Sequence, residues 1–306
     1  PPSMMSSSVS LPTGALRRKH PVADSVAVTA SPERARESRW RSIVSLYWML
    51  AKTSMQVQFQ YRAANYFYMI GMIVEPTIYL VVWRTIAESG GGAIEGYTAG
   101  TFAAYYIVWT LVRNMNIVFT PFGWEARIRE GELSGHLLRP VHPIHYDLGS
   151  FMGWKVMAIV FWIPIAVVLS LVFRPTLDPS VEQCIVFFVA IWGAYLIRSM
   201  LLWVLGMITF WTTRVSALFT IYFTAELLLS GRLVPMSLMP GWVQGLSWFL
   251  PFRWTFGFPI TALVGPISRT ELVVGVLAQT GWVLFGVLLV KVVWRRGIRK
   301  FSAVGG

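Results

Sequence analysis

Ionisable and amide side chains inside long apolar runs are the residues of this sequence best placed to do chemistry. Five of them are candidates for a substrate path: Glu75, Asn114, Asn116, Arg198 and Glu226; a sixth such residue, Arg113, precedes Asn114 in the same apolar run. A charge at the centre of a bilayer costs roughly 2.5–3.5 kcal/mol on insertion scales, so such groups usually pair or line a wet path. For the two glutamates, a substrate-lining role and a structural ion pair remain equal alternatives.

The two arginines differ in which glutamate they can reach. By its depth in its apolar run, Arg198 can pair with either Glu75 or Glu226, whereas Arg113 can reach Glu75 alone. Arg113 is also near enough to the end of its run to snorkel toward water, and we favour that interpretation.

Sequence motifs for ATP or metal chemistry are absent. The chain has no Gly-x-x-x-x-Gly-Lys-Ser/Thr loop, no His-Glu-x-x-His and no Gly-x-Ser-x-Gly. His136, His142 and His145 share one loop, so a metal site is conceivable, but proline separates the last two and no cysteine is near. We favour polar residues at a protein interface, and expect no catalytic residue, no metal and no cofactor in this chain.

The apolar runs that carry these residues are long enough to cross a membrane. Of 306 residues, 55% are apolar and 13% charged, about half the charge of a soluble domain. A span needs about 20 residues, and the uninterrupted apolar character favours helices over barrel strands. We therefore predict an all-α membrane protein with six transmembrane helices, over residues 66–83, 102–119, 152–173, 185–210, 215–229 and 272–294.

The basic residues predict the orientation. The formal net charge is +12, but most Lys and Arg lie in the N-terminal arm, the loop over residues 123–150 and the C-terminal tail. This placement fits the positive-inside rule and disfavours a nucleic-acid partner. We expect a multi-pass protein of the inner or plasma membrane, with lipid around it and both termini cytoplasmic.

Two segments at the ends of the membrane part are neither spans nor ordinary loops. Residues 1–38 predict a disordered basic arm before a membrane domain over 39–306, which begins with an amphipathic helix on the inner leaflet. Residues 230–265 are apolar but broken by four prolines into pieces of about ten residues, too short to cross. They predict an outer re-entrant helical hairpin, with a seventh and an eighth span as the alternative.

The loop over residues 123–150 predicts a docking surface for a soluble partner. A short amphipathic helix should end near Gly131 or Gly135, with Arg129 and Glu132 three residues apart on it. An apolar stretch with prolines follows, which would be exposed unless it packs on something. The alternative is an interfacial helix that faces lipid. The predicted docking residues are Trp124, Ile128, Arg129, Glu132, Leu137, Leu138 and Arg139.

Two motifs of this chain resemble those of ABC type-2 exporter permeases. The first is Ile-Arg-x-Gly-x-Leu, followed by Leu-Leu-Arg-Pro-Val-x-Pro, over residues 128–143. The second is Ser-Gly-x-x-x-Pro, then Pro-Gly-Trp and Leu-Pro-Phe, over residues 230–252. The resemblance covers roughly residues 40–300 and implies a six-span permease whose first cytoplasmic loop is a coupling helix.

The resemblance also implies the partners and the activity. Such permeases pair with a second permease, identical or homologous, and bind two copies of a separate ATPase that holds ATP and Mg. The implied function is export of a hydrophobic or cationic small molecule or lipid, as in multidrug efflux. An ion-driven secondary transporter would show an internal repeat, which we do not find. A structural membrane subunit remains the other alternative.

Overall fold

The structure, a computed structural model, describes residues 32–118, 121–212 and 215–301. By their internal contacts, Pro1–Ser42 and Ile43–Gly306 form two separate units. The described residues form these elements in chain order: α1 (Pro32–Gln60), α2 (Arg62–Ser89), β1 (Ala93–Ile94), β2 (Tyr97–Thr98), α3 (Ala99–Met115), α4 (Pro121–Arg129), α5 (Leu133–Leu137), α6 (Pro143–Phe173), α7 (Val181–Met207), α8 (Ser216–Leu229), α9 (Gly241–Trp248), α10 (Phe252–Thr255), α11 (Gly257–Val264) and α12 (Arg269–Gly297), with 3₁₀ turns at Ile208–Phe210, Met236–Leu238 and Ile298–Lys300.

Four of the described helices are long and apolar enough to cross a membrane: Arg62–Ser89, Pro143–Phe173, Val181–Phe210 and Arg269–Lys300. Helix α3 has 17 residues and α8 has 14, both below the roughly 20 that a perpendicular span needs. The prediction of a helical membrane protein is confirmed, whereas the count of six spans stays a prediction.

Helix α3 is enclosed by the rest of the chain. It is apolar around most of its circumference, and nearly all its side chains are buried, as expected for a helix without a polar face. A capping box of Thr98 and Thr101 begins it. Its tyrosines Tyr105 and Tyr106 donate hydrogen bonds to the carbonyls of Gly231 and Leu233, both at 2.7 Å. This helix therefore fixes the chain that follows α8.

The segment 230–265 contains only short helices. Helices α9 and α11 have eight residues each and α10 has four, so none is long enough to cross. The alternative of a seventh and an eighth span is therefore not supported. Insertion of this hairpin into a leaflet remains a prediction.

Helix α1 begins earlier than the sequence predicts. Residues 1–31 lie outside the described residues, but residues 32–38, predicted as part of the arm, belong to α1. Their Ala, Arg and Glu content favours helix.

Farther along α1, the helix packs on α6. The hydroxyl of Tyr47 lies 2.9 Å from Nδ1 of His145. A Cβ on Gly153 would overlap the carbonyl of Ala51. Close approach of the two backbones thus depends on the absence of a side chain at that glycine.

Candidate functional site

Buried charges of opposite sign meet where α7 and α8 face each other. Arg198 of α7 holds Glu226 of α8 with two parallel hydrogen bonds, from Nε to Oε1 at 2.7 Å and from Nη2 to Oε2 at 3.0 Å. The side chain of Glu226 is 0% exposed. A bidentate pair of this geometry is the strongest form of arginine–carboxylate contact, and it neutralises a carboxylate that water cannot reach.

A second pair lies beside the first, and one arginine joins them. Arg113 of α3 donates from Nη1 to Oε2 of Glu75 at 2.6 Å. Arg232, in the segment after α8, lies 3.5 Å from Oε1 of Glu75 and 3.7 Å from Oε2 of Glu226. These five side chains, Glu75, Arg113, Arg198, Glu226 and Arg232, form one charge network that connects α2, α3, α7, α8 and the start of the hairpin.

Two basic side chains of neighbouring helices contact the carbonyl end of α3. Arg198 donates from Nη1 to the carbonyl of Asn116, and Lys155 of α6 donates from Nζ to the carbonyl of Ile117. Lys155 also lies 3.4 Å from the carbonyl of Asn114. The last carbonyls of a helix lack partners within the helix and carry partial negative charge. These contacts explain why α3 can end at Met115, inside the protein, before the predicted boundary at residue 119.

The two amides predicted for the substrate path hydrogen-bond to the backbone. Asn114 donates from Nδ2 to the carbonyl of Thr110 at 2.8 Å, and Asn116 donates to the carbonyl of Thr255 at 2.7 Å. Both side chains are buried. Their observed contacts tie α3 to itself and to α10.

The structure brings Glu75, Arg113, Arg198 and Glu226 together, which corresponds to the structural-pair alternative for both glutamates. The guanidinium of Arg113 pairs with Glu75, the one glutamate that the sequence predicts it can reach, and its snorkelling toward the interface stays a prediction. The role of these residues in a substrate path stays a prediction.

The loop 123–150 is anchored from within. Arg127 of α4 holds Asp147 of α6 at 2.9 and 3.0 Å, and Nε1 of Trp203 donates to the same carboxylate at 3.0 Å. The buried ring of Trp124 packs edge-on against Trp203, with 4.1 Å between centroids. Trp124 is predicted to lie on the docking surface, but the structure buries it, because its large apolar ring fills the space between α4 and α7.

The charged pair predicted for this loop does not share one helix. Helix α4 ends at Arg129, and Gly131 takes a positive φ of 77°, which an L side chain rarely adopts. Glu132 lies beyond that break, before α5, while Arg129 pairs with Glu125 at 3.0 Å. Ile128 is half-buried against the core around Trp124.

The longest exposed stretch of the loop is residues 137–140, which we term the loop tip. Leu138 is 89% exposed, whereas Leu133, one turn earlier, is 0% exposed. Leu137 is also exposed, and the guanidinium of Arg139 lies 4.9 Å from the ring centroid of Tyr146. Of the predicted docking residues, Arg129, Glu132, Leu137, Leu138 and Arg139 are thus exposed and available to a partner.

The histidines of the loop make local contacts. His142 precedes α6, and its Nδ1 accepts a hydrogen bond from the amide of Ile144 at 3.3 Å. Burial, with His145 nearby as the smaller cause, lowers the pKa of His142 to about 4. Its ring lies 4.5 Å from that of Trp294. Within the described ranges, no three His, Cys, Asp or Glu side chains are grouped as metal ligands would be.

Three residues of these sites are missing from the sequence predictions. They are Asp147, Lys155 and Arg232. A signal existed for Arg232, since it lies six residues after Glu226, just past the end of the same apolar run. For Lys155 no signal existed, because its partners are backbone carbonyls.

Comparison with known protein families gives a match over most of this chain. A family model described as "ABC-2 family transporter protein" matches residues 73–305 of this chain. The matched region contains the whole charge network and the loop 123–150. No curated protein matches the sequence.

Proposed function

We propose that this chain exports a hydrophobic small molecule or lipid. The premise is that the chain belongs to the ABC-2 transporter family and is therefore the membrane subunit of an ABC transporter. A separate ATPase would bind ATP and Mg and hydrolyse the nucleotide. The resemblance of its two motifs to exporter permeases supports the outward direction.

The loop tip supports the coupling to an ATPase. It presents the exposed side chain of Leu138 on a base that Arg127, Asp147 and Trp124 anchor to α6 and α7. A base anchored to two helices can transmit a displacement of the loop tip to those helices. Exposed apolar side chains that fill a partner's pocket typically carry most of the energy of an interface.

The neutralised carboxylates favour a hydrophobic substrate over a cationic one. Glu226 is sealed from water by Arg198, so it offers no free charge. Glu75 is 33% exposed but is already shared by Arg113 and Arg232. A cationic substrate is the second candidate, and it requires Glu75 to release one of these arginines.

The remaining features of the proposal follow the family resemblance. The transporter would contain two permeases, identical or homologous, and two ATPase copies, in the inner or plasma membrane with both termini cytoplasmic. Helix α2 exposes apolar side chains such as Phe67, Ile70 and Val74, which suit either lipid or the second permease.

The test is co-purification of the chain with a co-expressed ABC ATPase subunit, followed by substrate-stimulated ATP turnover. Leu138→Asp should weaken ATPase binding by at least about 30-fold, the equivalent of a hot-spot contact of about 2 kcal/mol. The control is Val181→Asp, which places the same charge on another exposed aliphatic residue, at the start of α7. Full ATPase binding and turnover in Leu138→Asp would remove the loop tip as the coupling surface.

A further inference from the structure

An apolar cavity opens between α6, α7 and α12 at the C-terminal end of α12. Its volume is about 460 Å³. Val283, Val287 and Val290 of α12 form one wall, and Leu196 and Met200 of α7 form another. These apolar walls can pack against a hydrocarbon chain but offer no polar group to a soluble ion.

The rim of this cavity is cationic. Lys291 and Arg295, one helical turn apart on α12, are both exposed and line the cavity. No Asp or Glu is among the described residues that line it. The side chains of Arg296, Arg299 and Lys300 follow at the same end of the helix. The rim therefore attracts anions directly above an apolar slot.

We propose that this cavity is a binding site for an anionic phospholipid, with the phosphate on Lys291 and Arg295 and an acyl chain in the slot. Neither the cationic rim nor the apolar slot would be sufficient for binding by itself. A zwitterionic lipid carries a compensating cation that the rim repels, and a free phosphate leaves the slot empty. Basic pockets between membrane helices are suited to such headgroups.

The position of the cavity links it to the loop 123–150. His142 and His145, at the start of α6, line the side opposite α12. A lipid bound there would touch the helix start that carries Asp147 and hence the anchor of α4. We expect the bound lipid to stabilise this anchor, and the site does not depend on the identity of the exported substrate.

The test compares two lipids of identical acyl chains on the purified full-length chain in detergent. Binding of phosphatidylglycerol and phosphatidylcholine is measured by native mass spectrometry, and each experiment is repeated with inorganic phosphate as competitor. Phosphatidylglycerol should bind at least about tenfold more tightly. The double change Lys291→Gln and Arg295→Gln should weaken it by about 30-fold, from roughly 1 kcal/mol for each cation. Arg84→Gln with Arg269→Gln, which removes two exposed arginines elsewhere, should leave binding unchanged.

A second variant tests the slot. Val287→Trp should fill the cavity and weaken both lipids, while retaining their order. Equal binding of the two lipids by the unmodified chain would overturn the proposal, as would unchanged binding after the double change at the rim. Displacement of the lipid by millimolar phosphate would also overturn it, because the site would then take a free anion. These measurements need no ATPase and are therefore independent of the coupling test.

Discussion

Replacing Glu226 by glutamine tests whether the charge network holds the helices together. The change keeps the shape of the side chain but removes its charge. Arg198 then loses its bidentate carboxylate at 2.7 and 3.0 Å, and Arg232 loses its contact at 3.7 Å. Because Glu226 is 0% exposed, water cannot take its place beside Arg198 unless the helices separate.

The expected loss of stability is large. Removing one partner of a buried ion pair costs about 3–5 kcal/mol, because it leaves the other charge without compensation. The glutamine oxygen can still accept one hydrogen bond from Arg198, so we expect the lower end, about 3 kcal/mol. By the scaling for domains of 150–250 residues, this lowers the midpoint of thermal unfolding by roughly 6–12 °C.

The assay is thermal unfolding of the purified chain in detergent, together with the yield of folded protein in the membrane. Glu182→Gln is the matched control, since Glu182 pairs with Arg269 at 3.1 Å but the two side chains are 45% and 83% exposed. Exposed pairs contribute about 0–1 kcal/mol, so this variant should unfold near the original temperature. The double change Glu226→Leu with Arg198→Met removes both charges and should recover most of the loss.

Two results would refute this reasoning. If Glu226→Gln unfolds at the same temperature as Glu182→Gln, the carboxylate is not a compensating charge for Arg198. If Glu226→Gln is as stable as the unmodified chain but no longer supports transport, Glu226 belongs to the substrate path and not to the scaffold.

Three further predictions concern other parts of the chain. Gly153→Ala should destabilise the protein by about 1–3 kcal/mol, because the new Cβ would meet a carbonyl of α1. Gly71→Ala, which has open space around its Cβ, should not destabilise it, and thermal unfolding of both variants checks this. His142 has a folded pKa of about 4 against 6.5 for the free side chain, so the unfolded chain binds more protons between these values and stability should fall as the pH drops from 7 toward 4. His142→Asn keeps a capping side chain and should show a shallower fall when unfolding is followed across this range. In a chain whose native cysteine is replaced, Ala93→Cys should react with a membrane-impermeant thiol reagent from outside the cell and Leu138→Cys only from the cytoplasm, and the reverse pattern would contradict the proposed topology.

The sequence predicts the helical membrane fold because that signal is compositional and local. Long uninterrupted apolar runs leave no other way to satisfy the backbone in lipid, and a continuous run can be read without knowing its neighbours. The candidates of the charge network could be found in the same way. Glu75 and Glu226 are conspicuous because each is expensive in an apolar run, so each requires a nearby partner.

The partners and the helix ends could not be predicted, because they depend on packing. Arg113 reaches Glu75 only when α2 and α3 are folded against each other. In the sequence, Arg113 lies near the end of its apolar run, which favours snorkelling toward water. The early end of α3 depends on Lys155, which approaches from 38 residues away. Trp124 and Leu138 are both large and apolar in one loop, and nothing in their spacing tells which of them faces the core.

The carbonyl end of α3 is already occupied by hydrogen-bond donors that the protein itself supplies. Lys155 and Arg198 are fixed to α6 and α7, so their effective concentration at these carbonyls exceeds the millimolar values of loosely tethered groups. A dissolved cation reaching this point would have to displace a covalently attached competitor, whereas an uncharged molecule would meet none. The helix end therefore carries its own donors, and because Lys155 is buried and Arg198 is only 12% exposed, dissolved salt should hardly influence these contacts.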